Sequence, residues 1–550
     1  MILMPTNFYD ADPNLAFVAS TVMDGDTFAR AEPHLREMGA VAGGRLDELA
    51  ADADRNPPVL RTHDATGERV DEIVFHPAYR AMEEIAFRRF GLQAMSHRAG
   101  VLGWPTAVPH TVKYALSYLF AQSEFGILCP VNVTDSTTRM LRTYADEALK
   151  DDWVPRLAST DDDQLQGTQW MTERTGGSDV GASTARAVRG DDGSWRLYGR
   201  KWFCSNANAD CALTLARPDG APDGTRGLGM FLLPRRLPDG SHNAWTIDRL
   251  KDKLGSRSMA TGEVTYDGAI AYPVGDLERG FKQMAEMVNV SRLSNAMRSA
   301  AIMRRCVNES VTHARGREAF GATLADLPLL RADLMEMAVE AEAACSVILN
   351  GAAQIDRWDA GVDEARPLFR IITPLAKYRI CARARDIAGL AMNVRGGNGY
   401  VEEWPNARLL RDAYLGSIWE GATNIVALDV QRAIVRDGCL EPLLGFIDGK
   451  LGEVTDPEAK PLVSDVERKA EAVATRVASW DGDAQLEAMP VADRLYHLLA
   501  ASLLLAEGQA LADASGSDRK FFAAGLYVRR RLRHFEAFTP DELARLDDLI

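Results

Sequence analysis

The stretch Met171–Gly181, MTERTGGSDVG, sets a Thr-Glu pair just ahead of Gly-Gly-Ser-Asp. Adjacent glycines let a backbone approach a ligand closely, and exposed amides with hydroxyls suit phosphate oxygens or the edge of a polar heterocycle. The same residue types are the commonest turn formers, so a plain surface turn is the competing reading. The segments on either side decide between the two.

Downstream, residues 166–273 carry SWRLYGRKWFCSN, CALTLARP, GLGMFLLP and GEVTYDGAIAYP, short apolar or alternating runs broken by Gly, Pro, Asp and Asn. That chemistry predicts strands and turns, in a compact antiparallel barrel or sandwich. Upstream, from about Val70 to Leu157, apolar residues recur three and four apart and predict helices, followed by a linker at STDDDQ, Ser159–Gln164. From Gly280 the helical period returns. A long helix is predicted through Phe281–Arg315, a second after an N-cap at Asp326, and a third around PLAKYRICARARDIAGLAMNV. Another helical block follows Asp437-Gly438. Helices, then strands, then helices is a segregated α+β order rather than an alternating one. The expected domains are 1–164 (helical), 165–277 (β), 278–440 (helical bundle) and 441–550 (a further helical domain).

The bulk numbers narrow the function. A chain of 550 residues exceeds a single core, and 46% hydrophobic with 26% charged residues is ordinary for a soluble globular protein. A net charge of −15 argues against a dedicated nucleic-acid binder or a protein adsorbed on an anionic membrane. The seven cysteines have no CxxC spacing and the nine histidines no HxxxH pair, so neither a disulfide framework nor a metal site is expected. With no basic-then-apolar N-terminal segment and a longest apolar stretch of only Leu498–Ala506, a reduced cytoplasmic setting without membrane insertion is expected.

Three further segments stand in order with the first: GRKWFCSNA (Gly199–Ala207), ARGREAFG (Ala314–Gly321) and NVRGGNGYVEEWPNARLLRDAYLGSIWEGATNI (Asn393–Ile425). Singly, each has an ordinary reading. Gly396–Gly399 suits a helix C-terminal turn, and arginines at a helix end suit the helix dipole. Together, from about residue 70 to 436, they resemble the acyl-CoA dehydrogenase flavoprotein family, and the extra C-terminal block resembles its AidB-like, alkylation-response branch. The resemblance implies an α+β, acyl-CoA dehydrogenase-like fold with an N-terminal helical domain, a middle β domain, a C-terminal bundle and an added helical domain. It implies FAD, with Met171, Thr172, Gly177 and Ser178 against the flavin and pyrophosphate. Phe203 and Ser205 would lie at the ring, Arg317 and Phe320 would reach a neighbouring subunit's FAD, and Asn393, Gly397 and Asn424 would close over the cofactor. A cofactor shared between subunits implies a homotetramer.

The same resemblance puts Glu420 where many members keep their catalytic base. A thioester α-proton is weakly acidic, so a carboxylate must work in a dry pocket that raises its pKa. The implied reaction is α,β-dehydrogenation of an acyl-CoA, with electron-transfer flavoprotein or another acceptor downstream. Departures from the family pattern include Asn289, where an aspartate is usual beside Arg292 for the CoA, with Phe203 for tryptophan and Asn393 for glutamine. The alternative is a DNA-associated flavoprotein, with Arg529, Arg530, Arg531 and Arg533 in RKFFAAGLYVRRRLRHF as phosphate contacts for duplex DNA. Against it, residues 441–550 hold 13 Lys/Arg and 20 Asp/Glu.

Overall fold

The computed structural model describes residues 6–480, 484–533 and 539–550. In chain order the helices begin with Pro13–Val22 (α1), Gly25–Val41 (α2), Asp47–Arg55 (α3), Pro77–Glu83 (α4), His110–Ala121 (α5), Leu128–Tyr144 (α6) and Glu147–Leu157 (α7). A hairpin, Val59–His63 (β1) with Arg69–Val74 (β2), interrupts them. The strand region holds Gly167–Trp170 (β3), Arg186–Arg189 (β4), Trp195–Ser205 (β5), Cys211–Pro218 (β6), Gly229–Pro234 (β7), Trp245–Leu250 (β8) and Thr261–Pro273 (β9). Then come Gly280–Gly316 (α8), the two-residue strands Glu318–Ala319 (β10) and Ala322–Thr323 (β11), Pro328–Asp359 (α9), Ala365–Arg395 (α10), Pro405–Gly416 (α11) and Thr423–Val435 (α12). The last block is Leu440–Gly452 (α13), Lys460–Ala478 (α14), Ala488–Ser515 (α15), Arg519–Arg531 (α16) and Pro540–Ala544 (α17).

By packing, the chain divides into two compact units, one of residues 45–109 and 124–291, the other of 1–44, 110–123 and 292–550. In the first, β6, β4, β5, β9 and β7 pair in turn and β7 returns to β6, which closes a small barrel; β3 adds to β6 and β8 to β9. β7 is buried at every residue, as a strand covered on both faces must be. Its core joins Leu213, Leu215, Met230 and Leu232 of the sheet to Leu141, Leu149, Trp153 and Leu157 of α6 and α7. In the second unit α10 packs against α9, α11, α12 and α15.

Three sequence expectations change. The helical pattern from Val70 gives way to β2, because Val70–Val74 alternates against β1. The barrel is mixed rather than antiparallel: β6 runs parallel to both β3 and β4. Asp326 is no N-cap; α9 starts at Pro328, whose missing N–H needs no cap at the first turn, and Asp326 instead accepts from Thr323 Oγ1 at 2.5 Å. The apolar run at Leu498–Ala506 belongs to a helical stretch, Gln485–Ser515, long and apolar enough to cross a membrane, but its apolar window is 83% buried inside the protein.

The C-terminal helices dock on α9 by charge as well as by apolar contact. Glu340, 2% exposed, takes Arg531, and Glu336 takes Arg530 at 2.8 Å as well as Arg531 and Arg383. Burial pushes the Glu340 carboxyl up, but Arg383, Arg531, Arg379 and His497 outweigh it and leave it at about 2. A depressed carboxyl contributes stability above its unfolded value and loses it as pH falls towards the folded one. Unfolding free energy should therefore drop between pH 4.5 and about 2, and Glu340→Gln should be less stable at neutral pH with a shallower acid dependence. Arg531→Ala leaves buried Glu340 and half-buried Glu336 short of a partner and should cost about 3–5 kcal/mol in urea unfolding at pH 7.

Candidate functional site

In the barrel unit, the loop that opened the sequence reading is exposed from Arg174 to Asp179 and anchored at buried Glu173 and Val180. Both Glu173 oxygens are filled: they accept from Thr184 N and Oγ1 (2.7 Å each), Ala185 N (3.1 Å) and Lys201 Nζ (2.9 Å). Lys201 Nζ also donates to the carbonyls of Leu215 (3.0 Å) and Met171 (3.3 Å), and Trp202 N donates to that of Thr172 (2.9 Å). Burial alone would raise the Glu173 carboxyl; Lys201 and Thr184 outweigh it and keep the group ionised. This buried pair bolts the start of the loop to β5 and β6. The paired glycines are required here. Gly176 stands at φ +136°, and a Cβ on Gly177 would meet Thr172 Oγ1 at 2.7 Å.

The register of β5 against β9 breaks between Lys201 and Cys204, both buried, and the break turns Phe203 outwards. Phe203 is 57% exposed, with Lys251 Nζ 5.0 Å from its ring centre. Among the described residues, the side-chain hydroxyls of Thr172, Ser178 and Ser205 have no hydrogen-bond partner in the protein. An exposed aromatic face, three unengaged hydroxyls and a closely folded Gly-Gly backbone fit a planar heterocycle carrying phosphates.

The second unit holds Glu420. It follows α11 in a turn, partly exposed, at φ +56°, with Gly421 at φ +104°. Side chains of α8 and α10 grip this turn by its backbone. Asn295 Nδ2 donates to Gly416 O (2.8 Å), Arg292 Nε to Glu420 O (2.9 Å) and Lys377 Nζ to Gly421 O. Trp419 is fixed as well: its Nε1 donates to Asn295 Oδ1 (2.6 Å), and the Arg298 guanidinium lies 4.6 Å over its ring. Arg292 Nη1 also meets Asp429 at 2.5 Å, and Asp429 is bidentate with Arg370. Burial would raise the Asp429 carboxyl, but the two arginines hold it below the usual range.

Arg292 thus bonds the Glu420 turn through Nε and Asp429 through Nη1. Asn289, three residues earlier on α8 but grouped with the barrel unit, is 9% exposed, and its Oδ1 has no hydrogen-bond partner. Arg317 is exposed at the base of the β10–β11 hairpin, and Phe320 at its tip is 95% exposed. Phe320 (φ +54°) and Gly321 (φ +79°) form the doubly left-handed corner that tight hairpins favour. Asn393, Gly397 and Asn424 are exposed too, the first two at the C-terminal end of α10 and the last in the first turn of α12.

The arginines read as phosphate contacts have acidic partners within the chain. Arg529 pairs with Glu542, Arg530 with Glu336, Arg531 with Glu336 and Glu340, and Arg533 with Asp465. These cations pair with acids of the same chain, while Arg533 stays exposed; the last two residues of RKFFAAGLYVRRRLRHF lie outside the described residues. Sequence reasoning missed Lys377 and the Lys201–Glu173 pair. For Lys377 a signal was present: a lone cation four residues from Thr373 and from Cys381 on the buried stripe of α10. Among the described residues no cluster of metal-ligating side chains occurs.

Three family models match in succession. They are the adaptive response protein AidB N-terminal domain over residues 2–164, the acyl-CoA dehydrogenase middle domain over 168–269 and the acyl-CoA dehydrogenase C-terminal domain over 278–435. The putative acyl-CoA dehydrogenase AidB of Escherichia coli K12 is 37% identical over 419 residues, covering 73% of this chain and 74% of its own. Acyl-CoA dehydrogenase family member 11 of Caenorhabditis elegans is 33% identical over 451 residues, 80% of this chain and 72% of its own. The solved structure of C. elegans ACDH-11 in complex with C11-CoA superposes with TM-score 0.88 at 27% identity, over 98% of this chain and 94% of that one. The chain belongs to the acyl-CoA dehydrogenase family. Within it, the N-terminal match and the E. coli relative place it in the AidB-like branch. The family binds FAD, the group that the hydroxyl-rich loop and Phe203 fit.

Because Glu173 and Lys201 are both buried, removing one strands the other's charge. Lys201→Met should lower unfolding free energy by about 3–5 kcal/mol and release flavin on gel filtration. Unchanged stability with full flavin content would show that the pair does not hold this loop.

Proposed function

We propose that the protein is an FAD-dependent acyl-CoA dehydrogenase that converts an acyl-CoA thioester to its trans-α,β-enoyl product. The observation that carries the reading is Glu420, a carboxylate on a turn fixed through its main chain by Arg292 and Lys377. The complex of ACDH-11 with C11-CoA supports the substrate class. The acyl-chain length is left to experiment.

Glu420 removes the α-proton, and the Glu420 backbone N–H donates to the thioester carbonyl, stabilising the charge that develops on its oxygen as the proton leaves. FAD, when bound, supplies the two-electron acceptor for hydride from the β-carbon. Thr172, Ser178 and Ser205 offer hydroxyls to that cofactor and Phe203 offers its face, while the Glu173–Lys201 pair holds the loop in place. Asn289 Oδ1 remains able to accept a hydrogen bond from the CoA portion. Electrons leave to electron-transfer flavoprotein or an equivalent acceptor.

The side chains of Phe320 and Arg317 stand exposed, with no side-chain hydrogen bond or ion pair among the described residues. We infer that they complete a neighbouring subunit's cofactor site in a homotetramer. A 95% exposed phenylalanine at a hairpin tip is costly in water and suits such a contact.

Glu420→Gln should keep the flavin and its visible spectrum while slowing flavin reduction by acyl-CoA roughly 10²–10⁴-fold; reduction at the normal rate would rule Glu420 out as the base. Phe320→Ala should lose flavin on dilution and weaken the tetramer by ultracentrifugation, with the monomer's helical circular dichroism intact. A flavin-replete tetramer in that variant would remove Phe320 from the cofactor site.

A further inference from the structure

Lys377 lies in the middle of α10, 1% exposed, and its Nζ donates to the Gly421 carbonyl. Among the described residues no carboxylate forms an ion pair with it, and the acidic side chain whose charge it feels is Glu420. A buried ammonium is costly to desolvate, and an apolar residue would fill this stripe of α10 more cheaply. The cation is retained where two successive residues stand in the left-handed region, Glu420 at φ +56° and Gly421 at φ +104°. L side chains avoid that region unless the surroundings enforce it. The enforcement is visible. Arg292 takes the Glu420 carbonyl, Lys377 takes the next one, and a Cβ on Gly421 would come within 3.4 Å of Arg292 Nη2.

We propose that Lys377 is a positioning residue for Glu420: its ammonium, with the Arg292 guanidinium, holds the two carbonyls of the turn in one conformation and sets a positive charge beside the carboxylate. The inference rests on the reading of Glu420 as the base. Both cations bind main-chain oxygens of the turn. Burial brings the Lys377 ammonium down to about 8; Arg292 and Arg385 press the same way, while Cys381 and Glu420 oppose.

The test uses the flavin-loaded protein as Lys377→Met and Lys377→Arg. Hydrogen exchange by mass spectrometry reads the turn without turnover. In Lys377→Met, amides of 417–424 should exchange roughly tenfold faster while the rest of α10 is unchanged. The acid limb of the pH profile for flavin reduction reads the charge. Loss of a neighbouring cation raises a carboxyl pKa, so the limb should move up by roughly one pH unit in Lys377→Met and return in Lys377→Arg. Unchanged exchange overturns the proposal. Faster exchange with the acid limb unmoved also overturns it, since Lys377 would then be a structural pin with no electrostatic hold on Glu420. Failure of the base reading is seen separately, as normal reduction by Glu420→Gln, because the exchange readout does not depend on turnover.

Discussion

The turn that carries Glu420, the proposed base, is held in place by its main chain. Arg292 reaches from α8 to the Glu420 carbonyl with one edge of its guanidinium and to Asp429 with another, and Arg370 holds Asp429 in turn. Left-handed backbone at a glutamate costs about 1–2 kcal/mol. Hydrogen bonds from charged donors contribute about 1.5–3 kcal/mol each, so two of them exceed that cost. The turn therefore links helix packing to chemistry: α8, α10 and α12 must all be in register for Glu420 to be placed.

The same device recurs elsewhere. Glu173 and Lys201 spend their buried charges on the loop that carries Thr172 and Ser178, and leave those hydroxyls and the Gly-Gly backbone outside. At the other end of the chain, acids of α9 meet the arginines of α16. A cation-rich helix in an acidic domain is resolved inwards, and the phosphate-like partners it needs are glutamates of its own chain.

Much of this was legible from local pattern. α8, α9 and α10 follow from apolar spacing, β5 from its alternating run, and the Met171–Gly181 loop from its own glycines. The misreadings have a common origin in partners distant along the chain. Val70–Val74 shows helix-like spacing, and only β1 across the hairpin makes it a strand. The parallel pairing of β6 depends on where β3 and β4 return. Arg531 finds Glu336 and Glu340 nearly two hundred residues away, and Arg292 finds Glu420 after more than a hundred. For Phe203 the aromatic character was visible; its outward face depends on the irregular register after Lys201.

The most direct measurement is an anaerobic titration of the purified flavoprotein with straight and branched acyl-CoAs of increasing chain length, followed by flavin absorbance. The proposed reaction requires stoichiometric bleaching by at least one of them, with the enoyl-CoA recovered. A bound flavin whose spectrum ignores every acyl-CoA would contradict it, and would mean that the fold keeps its cofactor and its pinned glutamate for a different reaction.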